Sequence, residues 1–177
     1  MPIVASDIVF RLTTKGGSAG DTTASTPAES LGGHVSTSVF APGANSLFDD
    51  ISGSENSASV VDYRAFAVLN NHASLTLQNA VVYLSAEAAG GANIAIAVDN
   101  VGPVAKGAAV QGASIAKETT APSGVGAFSS PTTAAVGLAL GNLAPGQVRF
   151  VWVKRSATNS AAAADNVEFS VSGETAA

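Results

Sequence analysis

Apolar and polar residues alternate with a period of two in a series of short runs, and this alternation restricts the chain to a fold built from half-buried strands. Successive side chains on a strand point to opposite faces, so such a run buries one face and leaves the other outside. In "DIVFRLT", Ile8, Phe10 and Leu12 share one face and Asp7 and Arg11 the other. "NIAIAV" sets Ile94, Ile96 and Val98 against Ala95 and Ala97, and "NVEFSVS" sets Val167, Phe169 and Val171 against Glu168 and Ser170. "VRFVWVKR" divides Val148, Phe150 and Trp152 from Arg149, Val151, Val153 and Arg155. "YRAFAVLN", from Tyr63, and "LTLQNAVVYLS", from Leu75, stand either side of the turn residues "NNHAS", and this spacing predicts an antiparallel hairpin.

Turn chemistry punctuates the runs. Gly90 and Gly91 precede "NIAIAV". Pro145 and Gly146 fit a type II turn ahead of "VRFVWVKR", because Pro presets the first φ and Gly tolerates a positive second one. Helix signals are weak: in "GPVAKGAAVQGASIAKE", Gly107 and Gly112 each cost about 1 kcal/mol inside a helix, which leaves room for a short helical turn only. "AAAADN", from Ala161, reads as a loop. Two segments, "TTKGGSAGDTTASTPAES" and "ETTAPSGVGAFSSPTT", exceed the usual connection length of a compact domain. A chain of 177 residues forms one domain with a real core. The expected fold over residues 1–177 is all-β, an antiparallel β-sandwich of jelly-roll or Ig-like kind with little helix, and with long contact loops at about 14–30 and 118–133.

Charge then narrows the partners. Only 12% of residues are charged, about half the usual share. Such a surface is either covered by partners or made of Ser, Thr, Asn and Gly, and the low charge favours contact as the task of the long loops. The net charge is -5 and the eight Lys and Arg are scattered along the chain, with only Lys154 and Arg155 adjacent, so no basic stripe exists to engage nucleic acid. With no Cys there is no disulfide framework, thiolate metal site or thiol nucleophile. The start "MPIVASDIVFRL" has no basic leader segment, and its apolar runs are too short for a signal core or a membrane span. No Asn is followed two positions later by Ser or Thr. The expectation is a soluble product made in the cytoplasm, without a membrane partner.

The most chemically pointed stretch is "NSLFDDISGSE", Asn45 to Glu55. Asp49, Asp50, Glu55 and Asp62 have the oxygen ligands that Ca²⁺ requires, but their spacing departs from the alternating calcium loop and Ile51 interrupts it. A structural corner fits better: Leu47 and Phe48 anchor the turn in the core, Asp49 and Asp50 organise it, and Glu55 faces either Arg64 or solvent. Arg64, in an otherwise apolar strand, is expected to pair with one of these acids and to set register. "GGSAG" centres Ser18 in a G-x-S-x-G pattern, yet a nucleophile elbow needs a following helix, and a Ser/Thr-rich loop with Pro follows instead. His34 and His72 are the only imidazoles and lie in different segments with no second motif beside them. No catalytic, cofactor-binding or metal-binding residue is therefore assigned. A carbohydrate-binding sandwich normally exposes aromatics, whereas the single Trp152 alternates with core-type residues.

The order of segments carries more. "ESLGGHVST", then "NSLFDDISGSENSASVVDYRAFAVLNNHASLTLQNAVVYLS", then "LAPGQVRFVWVKRSATNSAAAADNVEFSVSGET" resembles a group of virion structural proteins of tailed bacteriophages. In that group an "slGG" segment, an "LFDD.sg.E" turn, a "YR.f.v.N" strand and a late "W.(K)R" strand with a final "v.GeT" recur in this order. The likeness weakens in the loop after Gly16 and between Val104 and Thr133. The resemblance implies a particle component without enzymatic activity or cofactor. Capsid decoration is the first expectation, with the major capsid protein and further copies of itself, as a homotrimer at threefold positions, for partners. A tail, baseplate or fibre component is the alternative.

Overall fold

The computed structural model describes residues 2–16, 22–88, 90–161 and 165–175. The described residues form antiparallel strands β1 (Ile8–Thr14), β2 (His34–Val39), β3 (Val61–Asn70), β4 (Leu77–Glu87), β5 (Ala92–Val98), β6 (Val104–Ala105), β7 (Leu138–Leu143), β8 (Gln147–Ala157) and β9 (Val167–Thr175), of which the alternating runs supply all but β2, β6 and β7. They build a sandwich. The larger sheet runs β2-β1-β3-β8-β5, with β6 also beside β8, and the smaller runs β7-β4-β9.

Between the sheets lies the main core. Phe66 and Val68 of β3, Val151 and Val153 of β8, and Ile94 and Ile96 of β5 meet Val82 and Leu84 of β4 and Leu140 of β7. Ile8, Phe10, Phe169 and Val171 pack against them, so the faces read from "DIVFRLT", "NIAIAV" and "NVEFSVS" are the faces that the fold uses. Phe169 touches both Phe40 and Phe66, with ring centres 6.0 and 5.0 Å apart, and closes one end of the core with aromatic packing. Pro145 and Gly146 make their turn as expected: Gly146 has φ 73 and the Gln147 amide donates to the Ala144 carbonyl at 3.0 Å.

The outer face of the larger sheet is buried as well. Trp152, Ala65 and Ala97 lie under Leu31 and Ile115, while Phe150, Leu69 and Val148 form a further cluster with Val35. Both faces of "VRFVWVKR" are therefore core, with Val151 and Val153 turned to the second sheet and Phe150 and Trp152 turned to a cover made by the long connection after β5. The Ile115 amide donates to the Leu31 carbonyl at 3.0 Å and the Gly33 amide to the Ala113 carbonyl at 2.8 Å, which fastens this cover down. A strand buried on both faces loses the clean alternation of a one-sided sheet, and "FAVL" in β3 and "FVWV" in β8 show that loss.

Two expectations are corrected. β3 and β4 do not form a hairpin: β3 pairs with β1 and β8, and β4 with β7 and β9. Residues 71–76 carry the chain from one sheet to the other, because both edges of β3 are already occupied. Asn70 holds this crossing, donating from Nδ2 to the Leu75 carbonyl at 2.9 Å and the Leu143 carbonyl at 2.7 Å and accepting from the His72 amide at 3.0 Å. The run "GPVAKGAAVQGASIAKE" contains no helical turn; it carries β6 and a reverse turn closed by the Ala108 amide on the Ala105 carbonyl at 2.8 Å. Gly112 is there for packing, since a Cβ on it would lie 2.4 Å from Cδ2 of Phe150. The α-helix of the described residues, α1 (Gly53–Ser57), instead begins at the end of "NSLFDDISGSE" and runs two residues past it.

Candidate functional site

Charged side chains converge where "LFDD" crosses the end of the larger sheet. Arg64 on β3 and Arg155 on β8 are 3% and 6% exposed, and a guanidinium that deep requires partners for its donors. The chain supplies them from distant segments for all but Arg155 Nε, which is buried without a hydrogen-bond partner among the described residues. Arg64 Nη1 donates to the Leu47 carbonyl at 2.6 Å and Nη2 to Asp49 Oδ1 at 3.3 Å. Arg64 Nε donates to Glu118 Oε2 at 3.1 Å, and Nη2 bonds that same oxygen. Arg155 Nη2 donates to Asp62 Oδ2 at 2.8 Å and lies 3.6 Å from Asp49 Oδ1, while its Nη1 donates to the Asp49 carbonyl.

Phe48 completes the cluster. Its ring centre is 5.3 Å from Cζ of Arg64 and 4.6 Å from Cζ of Arg155, so one aromatic ring meets two cations. Asp62 and Arg155 are directly opposed residues of the β3–β8 ladder, which makes their ion pair a cross-strand pair. Glu118 and Asp49, by contrast, come from loops and border an open depression of about 410 Å³ lined also by Leu31, Arg64, Lys117 and Thr119. The cluster thus ties two loops to two central strands.

The acids of "NSLFDDISGSE" therefore have separate tasks. Asp49 bridges the two arginines. Glu55 caps α1: its carboxylate accepts from the Ser52 amide at 2.8 Å and Ser52 Oγ accepts from the Glu55 amide at 3.3 Å. Hydrogen bonding of its carboxylate to the Ser52 side chain and then to the Ser52 amide, with a smaller contribution from Arg155, holds the Glu55 carboxyl below the ordinary carboxylate range. No group of three or more His, Asp or Glu among the described residues is arranged to hold a metal ion. Asp50 is exposed.

His72 has a turn role, its Nδ1 accepting from the Ser74 and Leu75 amides at 3.1 and 3.0 Å. His34 opens β2, with Nε2 3.2 Å from the Ala109 carbonyl. Ser18 lies outside the described residues, as does most of "GGSAG".

A second buried polar centre escaped the sequence. Asp99, with no exposure, accepts from Trp152 Nε1 at 3.0 Å, the Ala113 amide at 2.8 Å and the Val101 amide at 3.0 Å. Burial lowers the Arg149 pKa, and Asp99 opposes that shift. Gln111, 1% exposed, accepts from the Val35 amide at 2.8 Å and donates to the Lys106 and Ala108 carbonyls at 2.6 and 3.1 Å. Both residues pin the cover over the outer face. Trp152 is fully buried, so its ring is closed to a sugar. The signal for Glu118 and Asp99 was slight, each being a lone acid in a weakly charged segment. Arg155 had the clearer one, an Arg in an apolar strand just like Arg64.

Comparison with protein-family models, with curated proteins and with solved structures finds no match to this chain.

Proposed function

We propose that this chain is a non-enzymatic structural protein of a tailed-phage particle, a decoration protein on the outer surface of the capsid that bridges neighbouring major capsid subunits. The observation that carries the reading is the convergence of its motif residues. Phe48 and Asp49 of "LFDD", Arg64 of "YR" and Arg155 of the late "KR" are far apart in sequence and close on one another in a single cluster. A motif series whose members meet as struts supports a signature of architecture. A catalytic site instead aims such groups at a substrate.

The exposed parts of the loops suit docking. In "TTAPSG", residues 119–121 and 123–124 are exposed, small and uncharged, while Val125 and Phe128 beyond them pack on the larger sheet. Before β2, the segment 22–29 is largely exposed and likewise poor in charge. A loop already ordered by its own anchors loses little freedom on binding. Stabilisation of the shell then comes from contact area that must be broken before subunits separate.

A reconstruction of particles with and without the protein tests the reading, together with heat and osmotic challenge of both. Density on the outer shell and lower resistance of the depleted particles are expected. Density at the tail, or equal resistance, overturns it.

A further inference from the structure

A strand at the edge of a sheet presents unpaired N–H and C=O groups, and proteins normally cover such an edge or break it. The edge of β2 is covered: the Val35 amide donates to Gln111 and the Thr37 amide to the Thr23 carbonyl at 2.9 Å. The edge of β5 is covered too, by Glu87 on the Ile94 amide at 2.9 Å and by a paired exchange between Ile96 and Ser129 at 2.7 and 3.0 Å. β7 is short, its register on β4 slips around Ala80, and Gly141 bends it with φ 84.

Among the described residues β9 has none of these protections. It is 9 residues long, and the register shifts on its inner side place the extra residues on β4, so β9 itself is uninterrupted. The Asn166 carbonyl accepts from Ala88 on the β4 side, so by alternation Glu168, Ser170 and Ser172 also turn their backbone groups to β4. Those of Val167, Phe169, Val171 and Gly173 turn outward, and among the described residues no other segment bonds to them.

We infer that this edge pairs with the same edge of a second copy, antiparallel about a two-fold axis through Ser170, so that two three-stranded sheets become one. The strand is complementary to itself in that register. Phe169 faces Val171 of the partner subunit on the core side, a favourable aromatic and β-branched pair, and Glu168 faces Ser172 of the partner subunit. Sliding the axis to Val171 sets Glu168 against Glu174 of the partner subunit, and that like-charge contact selects the first register. The contact is isologous and closes on itself. It stands apart from the virion reading and from any threefold closure in a shell.

The absence of Cys makes the test direct. In this register the two Ser170 residues form a non-hydrogen-bonded pair with Cα atoms about 4.5 Å apart, within reach of a disulfide. Light scattering of the wild-type protein is expected to give twice the chain mass of 17.3 kDa. Mild oxidation is expected to link Ser170→Cys into a covalent dimer, and to leave Ser85→Cys, an exposed position on β4, far less linked. Ser170→Glu sets two carboxylates face to face and is expected to halve the mass with the β-sheet spectrum unchanged. A monomer at the highest soluble concentration, equal linking of both cysteine variants, or a trimer in which Ser170→Cys does not link overturns the inference.

Discussion

Arg155 holds its guanidinium carbon 4.6 Å from the centre of the Phe48 ring, and that contact joins the last long strand of the larger sheet to the corner that follows β2. Its neighbour Arg64 reaches the same ring from β3 at 5.3 Å. Two cations side by side repel, and here the ring face, Asp49 and Asp62 offset that repulsion. The corner is thereby fixed in place although α1 within it is too short to be stable alone.

The two arginines differ in how much they rest on buried charge. Asp62 is 5% exposed at its side chain, whereas Asp49 and Glu118 are 65% and 36% exposed and can be solvated when a partner is lost. Asp62→Ala is expected to cost about 3–5 kcal/mol because it leaves Arg155 buried and underpaired. Arg64→Ala is expected to cost about 1–2 kcal/mol, mostly lost packing of its stem. Urea denaturation of both variants checks the order, and a larger loss for Arg64→Ala would refute it.

Asp99 satisfies three donors at once, among them the Trp152 indole. Each buried donor left without a partner costs about 1–3 kcal/mol. Asp99→Ala is thus expected to destabilise by more than about 3 kcal/mol and to shift Trp152 emission to the red as its cover loosens. Unchanged emission in the folded variant would contradict the anchoring role.

Glycine substitutions separate close packing from open surface. Gly112→Ala pushes a methyl against Phe150, which has no exposure and no room to move, at an expected cost of about 1–3 kcal/mol. Gly32→Ala is expected to be worse: its Cβ would lie 2.0 Å from the Ala113 carbonyl oxygen, and its φ is 83. Gly53→Ala, with nothing within 4 Å, is expected to be neutral or stabilising by up to about 1 kcal/mol. Thermal midpoints of the three variants should follow that order.

Acid should weaken the α1 cap. Glu55 has its folded pKa depressed below the reference value of 4.5, so its contribution is complete above that value and is lost as pH falls through the lower folded one. Glu55→Gln is expected to flatten the fall of the thermal midpoint in that acid window. Equal slopes for variant and wild type would show that the cap carries no pH dependence.

Much of this architecture was legible in the chain. Ile8, Phe10 and Leu12, or Ile94 and Ile96, declare a face because alternation is a local property of the pleat and needs no knowledge of the partner strand. The same local logic placed the Pro145–Gly146 turn. It failed at "NNHAS", where turn residues serve a crossing between sheets as well as they would a hairpin. Only the occupied edges of β3 distinguish the two.

The cluster was half visible. Arg64 in an apolar strand called for a buried partner, and Asp49 was among the acids weighed for it. Glu118, 54 positions away, was not, and neither was the pairing of Asp62 with Arg155 across 93 positions.

By itself, then, the sequence determined the positions of β1, β3, β4, β5, β8 and β9, the main-core faces of β1, β5 and β9, and the small, weakly charged surface of the loops. Tertiary structure alone decided which strands pair, how a long connection buries Trp152 and Phe150 on the far side of the sheet, and which acids meet the buried arginines. The division has one physical cause. Periodicity and turn geometry act over a few residues, whereas pairing and desolvation are settled between groups that chain folding brings together from far along the sequence.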